Sequence, residues 1–482
     1  MYQSRIKYKY TLNFILKSII LALIIFIVLY EVFLKDYVLR FIQGNDDILD
    51  QYYYSDIFFS GTISLVIILF LLTIVLLFKS KINEFLNNVT PRTLLGFCLI
   101  IQILFQLIIL FTIQTVPISD SIFYVEHAKR LAETGKYLSS SNNYTAFWPV
   151  GLPALLSIFY YFNLDAIFYT KLINILMSFF LLIILFKIFQ LYLKEKALKY
   201  FLISWTFFPN NLFASQVILT ELPFTFLTWL SIFLVFKSKS FKSTLNIFLA
   251  GLTAALSTFF RANGLLVLMI LGIILILEKG FQLKKILILI LSFFIPITFW
   301  VYRNYLHFGN IVISSTNGGY IFLMGNNPDS NGKVNFNFSY DFSNPNEVDE
   351  SNKAYLKGFE FIKTHPGKFL EIGFKKIFYS YWRGDYNITW ALKNTKNYVH
   401  PIIKSTIFFL TNSYFYIVIL LSLFVLITKA KIILKNKFNY PLFALMFFTL
   451  ALIFIYVGSE RYIAPILPIH FYLASLVTDF DD

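Results

Sequence analysis

Two carboxylates and three arginines stand where long apolar runs end: Asp120, Glu221, Arg261, Arg303 and Arg461. An ionised side chain at membrane depth is costly, so each of these positions asks for a role. Arginine presents a planar fork of donors that matches phosphate oxygens, and a nearby carboxylate can take a proton from a hydroxyl. Such a set at one membrane face suits chemistry on a phosphate whose hydrocarbon tail lies between helices. A carboxylate would deprotonate an acceptor hydroxyl as it attacks a sugar's anomeric carbon. The arginines would meet the charge growing on the leaving phosphate. Nucleotide sugars are absent outside the cell, so an outward-facing site needs a donor already attached to lipid.

Each position also has a plainer reading, and the sequence leaves both open. Asp120 could cap a helix, which is compatible with catalysis because backbone amides would orient the carboxylate and keep it ionised. Glu221, two residues before Pro223, answers a helix dipole. Arg261 could snorkel to the interface, and Arg303 and Arg461, at span ends, are ordinary anchors. His127 lies a turn or two from Asp120 and is either part of the site or a surface histidine. The five histidines show no metal-ligand spacing, and Cys98 is the single cysteine, so one chain forms no disulfide or thiolate metal site. GNNPDSNG lacks the lysine and the following helix of a nucleotide loop.

The elements that must position these residues follow from composition. With 482 residues, 58% hydrophobic, 20% aromatic and 14% charged, the chain has too little polar surface to cover a soluble globule. It reads as an all-α polytopic membrane protein of about 12 spans, at roughly 20 apolar residues each. The net charge of +15 comes from lysines and arginines in short loops, the pattern of orientation determinants rather than of nucleic-acid binding. Arg5, Lys7 and Lys9 put the N-terminus in the cytoplasm, and the first span reads as uncleaved. Spans are expected over 12–34, 57–78, 94–116, 166–192, 198–217, 222–237, 245–260, 262–277, 286–302, 403–428, 439–457 and 461–478. Both termini are then cytoplasmic. The first outer loop holds Asp36, Asp46, Asp47, Asp50 and Asp56, and Asp120, Glu221, Arg261 and Arg303 share that outer side.

The polar stretch from Pro117 to Pro153 is central. Its apolar positions Phe123, Tyr124, Ala128 and Leu131 recur at helical spacing, predicting an interfacial helix over 119–134 that stops at Gly135. GLPALLSIFYYF after it is too short to span. The chain divides into a hairpin and cytoplasmic loop over 1–93, a catalytic core over 94–303 with its first external loop at 117–153, a small extracytoplasmic domain over 304–402, and C-terminal spans over 403–482. The 304–402 segment is turn-rich at first and helical from Glu347 to Tyr381, interrupted at His365-Pro366. No internal repeat is visible, against transporter folds built from two related halves.

From residue 94 onward the ordered motifs resemble the polytopic glycosyltransferases of the GT-C fold, in particular the protein O-mannosyltransferase and lipid A aminoarabinose transferase group. Asp120 with Tyr124, Ala128, Leu131 and Gly135 resembles that family's first external loop, and FWPVGLPALL the approach to its next helix. ILTELPF is similar to its second acidic position, at Glu221. AGLTAALSTFFRANGLL, RNYLHFGNIVISSTNGGYIFLMGNNP, THPGKFLEIGFKKIFYSYW and SERYIAPILP follow in the family's order. The resemblance implies inverting transfer from a polyprenyl-phosphate sugar to an extracytoplasmic glycan, lipid or protein, in a bacterial inner membrane. Asp120 would be the catalytic carboxylate with Glu221 as its acidic partner, and Tyr124, His127, Arg261, Arg303 and Arg461 would face substrate. A divalent cation near the two acidic positions is a further implication, without an assignable ligand set. Many members pair the first Asp with a Glu, whereas Ser121 follows it here, which leaves the acceptor open. The competing readings are an O-antigen polymerase or ligase, whose essential arginines would lie in the large loop, and a lipid-linked oligosaccharide flippase or other transporter.

Overall fold

The computed structural model describes residues 48–237, 243–279, 282–335 and 346–478, with Ile24. The expected first span, Asp36, Asp46 and Asp47, and Lys239 and Lys242 lie outside the described residues. The described chain is helical, 79% helix with no strand. Helices α1 (Ile48–Phe59) and α2 (Gly61–Leu77) meet at a bend of 57°. A short α3 (Lys79–Asn88) leads to α4 (Pro91–Thr112), which starts where the Thr90 hydroxyl accepts from the Thr93 amide at 3.2 Å and Pro91 takes the first helical position.

The predicted interfacial helix is α5 (Asp120–Thr134), with Tyr124 and Ala128 buried on one face. It stops at Gly135, whose φ of +68° is a left-handed conformation that favours glycine. The short helix after it, α6 (Gly151–Tyr161), has 11 residues. Then come α7 (Ala166–Phe189), α8 (Glu195–Thr206), α9 (Pro209–Phe213) and α10 (Glu221–Lys237), the chain turning through 109° between Pro209–Gln216 and α10. Helices α11 (Ser243–Phe260) and α12 (Gly264–Lys279) follow. Helix α13 (Leu283–Phe308) runs past the expected end at 302, so Arg303 lies inside it.

The polar segment forms α14 (Gly318–Gly325), α15 (Glu347–Thr364), α16 (Pro366–Ser380) and α17 (Tyr386–Leu392), with the expected break at His365-Pro366. It docks against the rest of the chain: residues 394–396 pair with 114–116, where the Val116 amide donates to the Asn394 carbonyl at 2.9 Å. Helices α18 (Pro401–Lys435) and α19 (Asn439–Ile455), a 3₁₀ turn at Glu460–Ile466 and α20 (Leu467–Ser475) complete the described chain.

Four helices, α4, α7, α13 and α18, are long and apolar enough to cross a membrane, with 22, 24, 26 and 35 residues. The two bent pairs raise this to six, and four shorter apolar helices accompany them. Side-chain placement is inverted relative to a soluble protein. On α4, Phe97, Ile100, Leu104, Ile108 and Phe111 face outward, while Gln102 and Gln106 are buried and donate to Ser178 of α7 at 2.6 and 3.0 Å. Apolar residues outside with polar ones between helices identify an integral membrane protein. The core at the other side of α7 gathers Phe189, Phe201, Trp229, Phe471 and Tyr472. There the Trp229 indole donates to the Pro465 carbonyl at 3.0 Å, pinning the 3₁₀ turn that carries Arg461.

Candidate active site

Four chain segments far apart in sequence end at one place. Asp120 opens α5 after the end of α4, Glu221 opens α10, Arg261 follows α11, and Arg461 follows α19. The Arg461 guanidinium donates to Asp120 Oδ2 at 2.6 Å, and its Nε lies 3.6 Å from Glu221 Oε1. Arg261 bonds the same Glu221 oxygen and donates to the Thr220 hydroxyl at 3.3 Å. Both guanidiniums approach the Tyr462 ring, Arg261 at 5.0 Å and Arg461 at 5.4 Å, and Trp390 of α17 lies against Arg461 at 5.7 Å. The two carboxylates and two arginines thus form one alternating chain of charge, neutral in sum.

The two carboxylates differ in access. The Asp120 side chain keeps 13% of its surface and lines a cavity of about 420 Å³. Glu221 keeps 3%, stands behind Thr220, and its Oε2 has no hydrogen-bond partner among the described residues. Asp120 is therefore reached from the cavity, whereas Glu221 is buried against the two arginines. Arg261, Arg461, Tyr124 and Trp148 also line the cavity, together with the apolar Leu265, Leu266, Leu452 and Ile453 from α12 and α19. Asp120 is the first helical residue and makes no capping bond, so the capping role open in the sequence is absent. The residue before it, Ser119, takes φ +47° and ψ −124°, a backbone region that L-residues avoid.

Two expected site residues stand elsewhere. Arg303 donates to the carbonyls of Thr145 and Tyr137 at 2.8 and 2.7 Å and is covered by the rings of Trp300 and Tyr144. It fastens the 117–153 loop to α13 through these main-chain carbonyls. His127 is buried on the inner face of α5, its Nδ1 2.6 Å from the Phe123 carbonyl and its ring 5.3 Å from Tyr137. It is neither on the cavity wall nor on the surface. Burial, opposed by that bond, holds its imidazole below the ordinary range. Tyr124 does reach the wall, edge-on to Trp148 at 5.5 Å.

The residues that sequence reasoning missed buttress the charge chain. Glu460, next to Arg461, accepts from Arg383 at 2.7 Å, and Arg383 also bonds the Tyr54 hydroxyl of α1 and lies 3.6 Å from the buried Asp385. Glu347 accepts from the Thr145 hydroxyl at 2.9 Å and from the Ala146 amide, clamping the loop that delivers Trp148. Among the described residues no three of His, Cys, Asp and Glu come together to hold a metal. Asp120 and Glu221 each face a guanidinium, Arg461 and Arg261 respectively.

No family model matches the chain, and no curated protein matches it. Two solved structures are similar to it. One is the archaeal oligosaccharyltransferase AglB from Archaeoglobus fulgidus in complex with an inhibitory peptide and a dolichol-phosphate, at 14% identity and a TM-score of 0.42 over 81% of this chain and 50% of that one. The other is ArnT from Cupriavidus metallidurans in the apo state, at 8% identity and a TM-score of 0.35 over 80% of this chain and 76% of that one. The chain therefore spans half the length of AglB.

Proposed function

We propose that this protein is an integral membrane glycosyltransferase that moves a sugar from a polyprenyl-phosphate donor to an extracytoplasmic acceptor, with inversion at the anomeric carbon. The observation that carries this reading is the ion pair of Asp120 and Arg461 in a cavity that is also lined by the apolar Leu265, Leu266, Leu452 and Ile453. A ligand with an anionic head and a hydrocarbon tail finds partners for both in such a lining.

On binding, the donor phosphate competes with Asp120 for Arg461 and with Glu221 for Arg261, which frees the Asp120 carboxylate next to the reacting centre. The acceptor hydroxyl attacks the anomeric carbon from the face opposite the phosphate, and its proton passes to Asp120. The bond from the anomeric carbon to the phosphate oxygen breaks with its electron pair on that oxygen, where Arg461 and Arg261 meet the charge. The products are an inverted glycoside and polyprenyl phosphate. Glu221 positions the two guanidiniums. Neither carboxylate is asked to hold a metal.

A polymerase or ligase reading looks to an arginine in the large loop, and Arg383 is in it. That guanidinium is committed to Glu460 and Tyr54 and is not on the cavity wall. The test is transfer from radiolabelled polyprenyl-phosphate hexose by purified protein. Asp120→Asn is expected to lower kcat by about 10³-fold while leaving donor binding in place; undiminished transfer would remove Asp120 from the mechanism.

A further inference from the structure

The cavity has a further wall that the proposed chemistry does not use. It is made by the start of α14 and by α15, and closed by Tyr456 after α19. Ser315, Asn317, Tyr355 and Tyr456 line it, with Asn263 from the turn after Arg261. All are neutral, and all carry hydroxyl or amide groups. The ionised side chains lining the cavity, Asp120, Arg261 and Arg461, come from other segments.

The groups on this wall are held in place with bonding capacity left over. The Tyr355 and Tyr456 hydroxyls are 3.2 Å apart, so one donates to the other and one proton remains free. Ser315 donates to Asn317 Oδ1 at 2.9 Å, which fixes the amide with its nitrogen unpaired among the described residues. Gly318 makes the tyrosine placement feasible: a Cβ there would stand 2.3 Å from the Tyr355 hydroxyl. Trp148 lines the same cavity, stacked on Phe123 at 5.6 Å and edge-on to Tyr124 at 5.5 Å, and its loop joins this wall where the Thr316 amide donates to the Ala146 carbonyl at 2.9 Å. A held aromatic ring beside fixed hydroxyls and amides matches a sugar ring with an apolar face and hydroxyl edges.

We propose that this wall, with Trp148, is the subsite for the donor's sugar and that it selects a neutral hexose over a cationic amino sugar or an anionic uronic acid. The inference rests on the transferase reading above. A charged substituent here would be desolvated with no ionised partner on the wall, whereas hydroxyls exchange water for fixed donors and acceptors. Tyr355 and Asn317 are the specificity-determining residues.

The experiment measures binding of four probes to the purified full-length protein: decaprenyl phosphate, and the same lipid carrying a neutral hexose, an aminopentose or a uronic acid. The wild type is expected to bind the hexose lipid at least tenfold more tightly than either charged-sugar lipid. Tyr355→Phe and Asn317→Ala are each expected to weaken the hexose lipid five- to tenfold and to leave bare decaprenyl phosphate within twofold, which also shows that the variants are folded. Equal binding of the hexose lipid by wild type and both variants, or preference for a charged sugar, overturns the subsite while the transferase reading stands. Failure of the wild type to bind any of the four probes overturns the transferase reading and this inference with it.

Discussion

Ser119 is the residue through which backbone conformation reaches the chemistry. Its φ of +47° aims the start of α5 so that Asp120 points at Arg461 instead of capping its own helix. Ser119→Gly should relieve the strain, stabilising the fold by about 1 kcal/mol in a thermal melt, and should lower kcat several-fold because the aim of Asp120 loosens. At Arg461, lysine keeps the charge and loses the fork that reaches Asp120 and Glu221 together. Arg461→Lys is therefore expected to raise the donor KM about tenfold with a smaller change in kcat; an unchanged KM would show that the guanidinium does not meet the donor. Asp120, Glu221, Arg261 and Arg461 were legible because charge is rare amid apolar sequence. Arg303 sits in the same kind of sequence, yet its guanidinium meets the carbonyls of Tyr137 and Thr145, and only the path of the loop decides that. Tyr355 and Asn317 gave no signal, since tyrosine and asparagine are unremarkable in a polar segment.

At the level of elements, the 117–153 loop is clamped from α13 by Arg303 and from α15 by Glu347. Burial pushes the Glu347 carboxyl above its ordinary range, against the pull of its bonds to Ala146 and Thr145. A carboxyl raised in the fold favours the native state when protonated. Its contribution is therefore complete below an unfolded value of about 4.3 and is lost as pH rises through the higher native value. Thermal melts across that window should show wild type gaining stability on acidification relative to Glu347→Gln; a constant difference would mean that Glu347 is not shifted. The α1 helix is tied to the same end by Asp50 to Lys393 at 2.7 Å, Asp56 to Lys404 at 2.8 Å, and Tyr54 to Arg383. Arg383→Ala strands the fully buried Asp385 and should cost about 3 kcal/mol, whereas Asp56→Asn, at a half-exposed pair, should cost under about 1 kcal/mol. Helices α5 and α6 were readable from periodicity, Gly135 and length. The docking of 304–402 onto the cavity was not, because its contacts join residues separated by hundreds of positions, as Thr145 to Glu347 does.

Across the whole molecule, loop charge assigns sides and the fold supplies two ends to test. With Cys98→Ala as background, a cysteine at Ser140 in the 117–153 loop, expected outside, should react with a membrane-impermeant maleimide in intact cells, and one at Asn88, the last residue of α3, should not. Labelling of both from one side would contradict the orientation. The number of spans was less legible than the membrane character of the chain: about 12 are expected, whereas among the described residues four helices are long and apolar enough to cross, or six if each bent pair is one span. The most direct measurement is a cryo-EM map of the protein with polyprenyl phosphate. The phosphate is expected within hydrogen-bond distance of Arg461 and Arg261, with Asp120 released from its ion pair and the tail running along α12 and α19. A phosphate resting at Arg303, or outside the cavity with the pair of Asp120 and Arg461 intact, would contradict the account.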